Sequence, residues 1–183
     1  MNAAMRKSNR QSRLVLQART GDREALEQLL SGIQPSLLGY IANVVGRTAA
    51  DDVLQDTFIQ VCRNLQWLRD PELFMPWAYR IASRSCFKML THDRRFSSVA
   101  EDSFPVEEIS GGSQPELQLF CDVPELLERI SPASRAVLTL HYLQDLPIAE
   151  VAAILEIGIG TAKSRLAYGL ECLRQIVDGK EKP

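Results

Sequence analysis

The sequence predicts an all-α protein: two small helical bundles joined by a flexible acidic linker, the second bundle containing a helix-turn-helix. Three observations predict this. Apolar residues recur at helical spacing through residues 13–95 and again through 123–178, with no alternation of strand length. Residues 96–122 have little periodicity and carry Ser97-Ser98, Pro105, Ser110-Gly111-Gly112-Ser113 and Pro115, the composition of a linker. Finally, Ile148, Val151, Ala152 and Leu155 form one helical face, Gly158 and Gly160 mark a break, and Ala162, Leu166, Leu170, Leu173 and Val177 form a second face.

Taken in order, Leu14, Ala18, Ala25, Leu26, Leu29 and Leu30 form stripes on either side of a break at Gly21-Asp22. Leu37, Leu38, Ile41, Val44 and Val45 form another, after Pro35 and before Gly46. Asp51 or a neighbour is suited to cap the next helix, 51–65, whose buried side is Leu54, Phe58, Val61 and Leu65. A loop, 66–74, precedes a helix running from near Met75-Pro76 towards His92. Beyond the linker, residues 124–130 are helical, Ser131-Pro132 supply a cap and first turn, residues 136–142 form a further helix, and Pro147 suits the first turn of the helix-turn-helix.

Composition narrows the function. The chain has 183 residues, 45% hydrophobic, enough to bury a core. A net charge of −2 does not announce nucleic acid, but its distribution is uneven. Residues 1–95 hold 14 Lys/Arg against 9 Asp/Glu, residues 96–122 hold 6 Asp/Glu and no cation, and residues 123–183 hold 7 against 8. Four scattered cysteines (Cys62, Cys86, Cys121, Cys172) and two histidines (His92, His141) lack the spacing of a zinc site, so no metal or other cofactor is expected. The cysteines read as free thiols in a reducing compartment. No apolar run approaches the ~20 residues that span a bilayer, and the polar N-terminus is no signal peptide. A cytoplasmic protein without membrane insertion is expected, with residues 1–10 disordered. The nucleophile elbow, the P-loop and the metalloprotease and deaminase signatures are all missing from the sequence, so no catalytic residue is expected.

Two charged stripes and one helix start are the candidate sites. Asp52, Gln55, Asp56, Ile59 and Arg63 share one helical face, a pattern whose usual meaning is a solvated charged surface. Arg80, Arg84 and Lys88 fall at i, i+4 and i+8, extended by Arg94 and Arg95. Like charges at that spacing repel by a few tenths of a kcal/mol, which a polyanionic partner would offset. Trp67 and Phe74 can stack on bases or anchor the core, and core is the favoured reading for Phe74. Thr161, Lys163, Ser164, Arg165 and Tyr168 place hydroxyls, cations and a ring early in the second helix of the helix-turn-helix, as a recognition helix requires. Arg165 suits guanine readout, Lys163 suits phosphate, and Thr161 and Ser164 serve phosphates or cap the helix.

Residues 51–65 and 77–82, together with Gly160-Thr161-x-Lys163-Ser164-Arg165, resemble in order and spacing regions 2 and 4 of extracytoplasmic-function (ECF) sigma factors, over about residues 14–174. The resemblance implies a promoter-specifying subunit of bacterial RNA polymerase. Asp52, Gln55 and Asp56 would dock on the polymerase clamp helices. Residues 66–95 would capture and open the −10 element, and residues 158–168 would read the −35 element. An anti-sigma factor is the implied regulator. Three positions depart from the family pattern: Arg84 stands where many members carry a small amide residue, Glu156 replaces a common Gly, and Gly158 replaces a common Ser or similar cap. The acidic Glu101, Asp102, Glu107 and Glu108 are either a nucleic-acid mimic within the polymerase or a solubilising tether. The alternatives are a stand-alone helix-turn-helix regulator, against which the Asp52/Gln55/Asp56 block argues, and an interaction adaptor retaining the fold, against which the basic stripe argues.

Overall fold

Eight α-helices, and no strand, make up the described residues of the computed structural model, 3–96 and 123–177, with side chains described for 9–92 and 126–177. The acidic residues Glu101, Asp102, Glu107 and Glu108, Cys121, and the side chains of Arg94 and Arg95 lie outside the described residues. Helix α1 (Ala3–Arg19) ends at a turn in which Gly21 takes a φ of 97°. Asp22 then caps α2 (Arg23–Val45), its carboxylate accepting from the Ala25 amide at 3.0 Å. Gly46, at φ 88°, separates α2 from α3 (Arg47–Asn64). Short 3₁₀ turns at Leu65–Trp67 and Pro71–Leu73 lead into α4 (Phe74–Phe96). The next described elements are α5 (Val123–Glu128) and α6 (Pro132–Leu138). Ser131 caps α6 by accepting from the Ser134 amide at 3.2 Å, and α6 widens into a π turn at Thr139–Leu143. Helices α7 (Ile148–Leu155) and α8 (Ile159–Val177) form the helix-turn-helix.

Six local expectations are corrected. Residues 3–10 are helical, as the first half of α1, where disorder was expected. Pro35 lies inside α2 rather than before it, because the buried stripe Ala25, Leu29, Ile33, Leu37 and Ile41 continues unbroken across it and holds both halves on one axis. Helix α3 begins at Arg47, so Asp51 is an interior residue and not a cap; buried Ala50 anchors this added turn. Pro147 is the residue before α7, and Gly160 is helical, so the break rests on Glu156 to Gly158 instead. Val177 faces solvent, and Ile176 packs on the core in its place.

Helix α2 is the centre of the molecule. Its Leu29, Ile33, Leu37, Tyr40, Ile41 and Val44 are buried against α1, α3 and α4. The same apolar cluster takes in Ala136, Val137, Leu140, Val151 and Ile154 from the other side of the linker. A smaller cluster, Leu127, Ile130 and Leu138 with Leu166, Leu170 and Leu173, serves the C-terminal helices alone. The two bundles read from the sequence are therefore packed together across a shared core, in which α6 lies on α2 and α7 lies on α4. The hydroxyl of buried Ser83 donates to the Tyr79 carbonyl (2.7 Å), leaving its oxygen to accept from Tyr40 (2.7 Å). The rings of Tyr40 and Tyr79 meet edge to face at 5.5 Å.

Candidate nucleic-acid and polymerase interface

Helix α3 divides into two faces. Val53, Leu54, Thr57 and Val61 are buried, and Phe58 is half-buried. Asp52, Gln55, Asp56, Ile59 and Arg63 are all exposed on the other side. The buried Thr57 hydroxyl donates to the Val53 carbonyl at 2.7 Å, so this polar residue costs the core side no orphaned group. The exposed face adjoins an open groove shared with α4, bordered by Asp56, Ser85, Lys88 and His92.

Between α3 and α4, Phe74 is fully buried and Trp67 is 75% exposed. The loop thus pins one aromatic in the core and presents the other to solvent. Leu73, also exposed, gives the same loop a second apolar tip.

The basic stripe of α4 is divided in its surroundings. Lys88 is exposed. Arg80 and Arg84 instead meet the C-terminal end of α7. Arg84 grips the Glu156 carboxylate in a fork, with Nη2 to Oε1 at 2.6 Å and Nε to Oε2 at 3.0 Å. Arg80 donates from Nη2 to the Ala153 carbonyl at 3.2 Å, one of the carbonyls that the helix end leaves without an internal partner. Its Nε is buried and unpartnered. Nearby, Tyr79 donates to Gln144, a third polar contact between the halves. Burial pushes the Tyr79 hydroxyl up to about 12 and the Cys86 thiol to about 12, so the Cys86 side chain is an inert apolar filler. Glu156 is held below its ordinary value, first by the hydrogen bond from Arg84 and then by the charges of Arg84 and Arg80.

Glu156 occupies the left-handed region at φ 56°, as the residue that ends α7. Two of the three departures from the family pattern, Arg84 and Glu156, far apart in sequence, therefore contact each other. Sequence reasoning flagged both and did not join them. The available signal was their opposite charge at two otherwise unusual positions.

At the start of α8, Thr161, Lys163 and Ser164 are exposed and Arg165 is half-buried. Ser164 donates its hydroxyl back to the Gly160 carbonyl at 3.0 Å, so its hydrogen is engaged within the helix. Gly158 accepts the first intrahelical bond, from the Ala162 amide. Buried Ala162 seats the helix start, and Tyr168 is 43% exposed one turn beyond Arg165. Among the described residues no group of three His, Cys, Asp or Glu side chains is placed to hold a metal, and no helix is long and apolar enough to cross a membrane.

Residues 29–96 match the family "Sigma-70 region 2", and residues 122–173 match "Sigma-70, region 4". The chain is 28% identical to RNA polymerase sigma factor CarQ of Myxococcus xanthus, with 87% of this chain and 92% of that protein covered. It is also 28% identical to the ECF RNA polymerase sigma-E factor of Escherichia coli K12, with 93% of each covered. Among solved structures, CnrH in complex with the cytosolic domain of CnrY has the same fold, at a TM-score of 0.65 and 20% identity, with 94% of this chain and 99% of that chain covered. The sigma factor RpoE in complex with the anti-sigma factor NepR from Bartonella quintana gives a TM-score of 0.65 at 21% identity, with 83% and 96% covered. Two sigma-70 regions in the order and spacing of the motifs, with sigma-factor relatives, ECF sigma-E among them, matched over most of the chain, place this chain in the extracytoplasmic-function family of RNA polymerase sigma factors.

Proposed function

We propose that the two halves divide the work of promoter recognition. Residues 13–95 bind core polymerase and engage the −10 element, residues 123–178 read the −35 element, and the acidic residues 96–122 join them. Asp52, Gln55, Asp56, Ile59 and Arg63 form the polymerase-binding face. Trp67, Arg80, Arg84, Lys88, Arg94 and Arg95 hold the −10 DNA. Trp67 stacks on an unpaired base, and the cations neutralise phosphates. Thr161, Lys163, Ser164, Arg165 and Tyr168 lie along the −35 DNA, with Arg165 as the base reader and Lys163 on phosphate. The chain supplies no catalytic chemistry of its own and works in the cytoplasm. An anti-sigma factor holds it inactive, a reading supported by the complex of the similar sigma factor RpoE of Bartonella quintana with the anti-sigma factor NepR.

The observation that carries this reading is the α3 stripe. Three polar residues in an otherwise amphipathic helix stand exposed directly behind Val53, Leu54 and Val61, so they can be changed without touching the core. Replacing Asp52, Gln55 and Asp56 together by Ala is expected to leave stability within about 0.5 kcal/mol per site. The same variant is expected to lose binding to core polymerase. A folded triple variant that binds core with parental affinity would exclude this face.

A further inference from the structure

The end of α7 combines three features that favour a cation. The Ala153 carbonyl takes no amide of the helix end and accepts from Arg80 instead, the helix dipole is negative there, and Glu156 adds a full charge. Glu156 is also an awkward residue for the position. At φ 56° a side chain with a Cβ is strained where glycine is not. A local cap gains nothing from the carboxylate; its partner is Arg84, across the shared core. Arg80 and Arg84 lie one turn apart on α4, so both reach this one helix end. Neither is fully satisfied by it. Arg84 remains 65% exposed and Glu156 47%, and the buried Nε of Arg80 has no partner.

We propose that the end of α7, with Glu156, is an intramolecular stand-in for a DNA phosphate: it occupies Arg80 and Arg84 in the closed chain and must be displaced before they can engage DNA. The inference rests on the −10 role given to these two arginines above. The closed chain holds its own recognition module against its own DNA-melting stripe, and single-stranded DNA competes with Glu156 for the same guanidinium groups. The under-satisfied Arg80 makes the contact reversible, because phosphate oxygens offer it the partner that α7 does not.

The test uses the full chain with Glu156→Gly, which removes the carboxylate and places the residue best suited to φ 56° at the helix end. The thermal midpoint is therefore expected not to fall. Energy transfer is measured between dyes on Cys62, exposed on α3, and on a cysteine introduced at Gln175 on α8, in a background with Cys121 and Cys172 changed to Ser. The second readout is the affinity for a short fluorescein-labelled single-stranded DNA of randomised sequence. Glu156→Gly is expected to lower energy transfer and to tighten DNA binding by about two- to fivefold, the range of an exposed ion pair of good geometry. Glu171→Gln, which removes a carboxylate paired with Arg174 within α8, is expected to change neither. Unchanged transfer and DNA affinity in Glu156→Gly, with core polymerase still bound, would overturn the stand-in and leave the proposed function intact. Lower transfer without tighter DNA binding would overturn it by removing the −10 role of the stripe itself. An equal effect from Glu171→Gln would reduce it to a general charge effect and overturn it as well.

Discussion

Glu156 holds a backbone conformation that few glutamates adopt, and its charge makes that position responsive to acid. Its carboxylate faces the guanidinium groups of Arg84 and Arg80. Its pKa is depressed in the closed form. The stabilisation is therefore present above the ordinary value of 4.5 and is lost as the pH falls below it. Energy transfer between the halves is expected to drop on acidification below 4.5 in the parent, with a smaller change in Glu156→Gly. On α8, Arg165→Ala is expected to cost roughly 1–3 kcal/mol of promoter binding and to relax preference at one −35 base. Equal losses on every −35 variant would make Arg165 a phosphate contact. At this scale the sequence was legible where a side chain's fate follows from its own chemistry. Phe74 read as core and is buried, while the exposed stripe of α3 followed from helical spacing. The Arg84–Glu156 pair was not legible, because helical periodicity relates residues within an element and says nothing about which helix ends meet across a linker.

The helices themselves were legible from apolar spacing, and their ends were not. Pro35 was placed ahead of a helix because proline lacks an N–H and disfavours the helical interior. Packing outweighed that local preference, since residues on both sides of it bury on one stripe. Pro35 itself is exposed, so Pro35→Ala is expected to raise stability by up to about 3 kcal/mol in urea denaturation. A change of less than a few tenths would mean that α2 has adapted fully to the ring. Gly169 on α8 predicts the opposite direction. A Cβ there would lie 2.8 Å from Leu138 Cδ1 and 3.2 Å from Ser134 Cβ, so α6 and α8 approach too closely for a side chain. Gly169→Val is expected to destabilise by about 1–3 kcal/mol through overpacking, read from the same denaturation midpoint.

Across the whole molecule, a core shared between the bundles was not legible, because Ala136, Val137, Leu140, Val151 and Ile154 look like ordinary interior residues of a separate domain. Their burial against the α2 and α4 side couples the two halves. Both tryptophans lie in the N-terminal half, whereas helicity reports on both halves. Urea transitions followed by tryptophan fluorescence and by far-ultraviolet circular dichroism are expected to coincide. Separate midpoints would mean that the halves unfold independently. The shared core also bears on how long an active chain survives. Separation of the halves on polymerase, which the proposed promoter-spanning role requires, would strip the cover from Val137, Leu140, Val151 and Ile154. An opened chain that misses its enzyme then carries a sticky, protease-accessible face. Closure is thus expected to slow proteolysis of the free chain, and chain that opens without capture is expected to be degraded first.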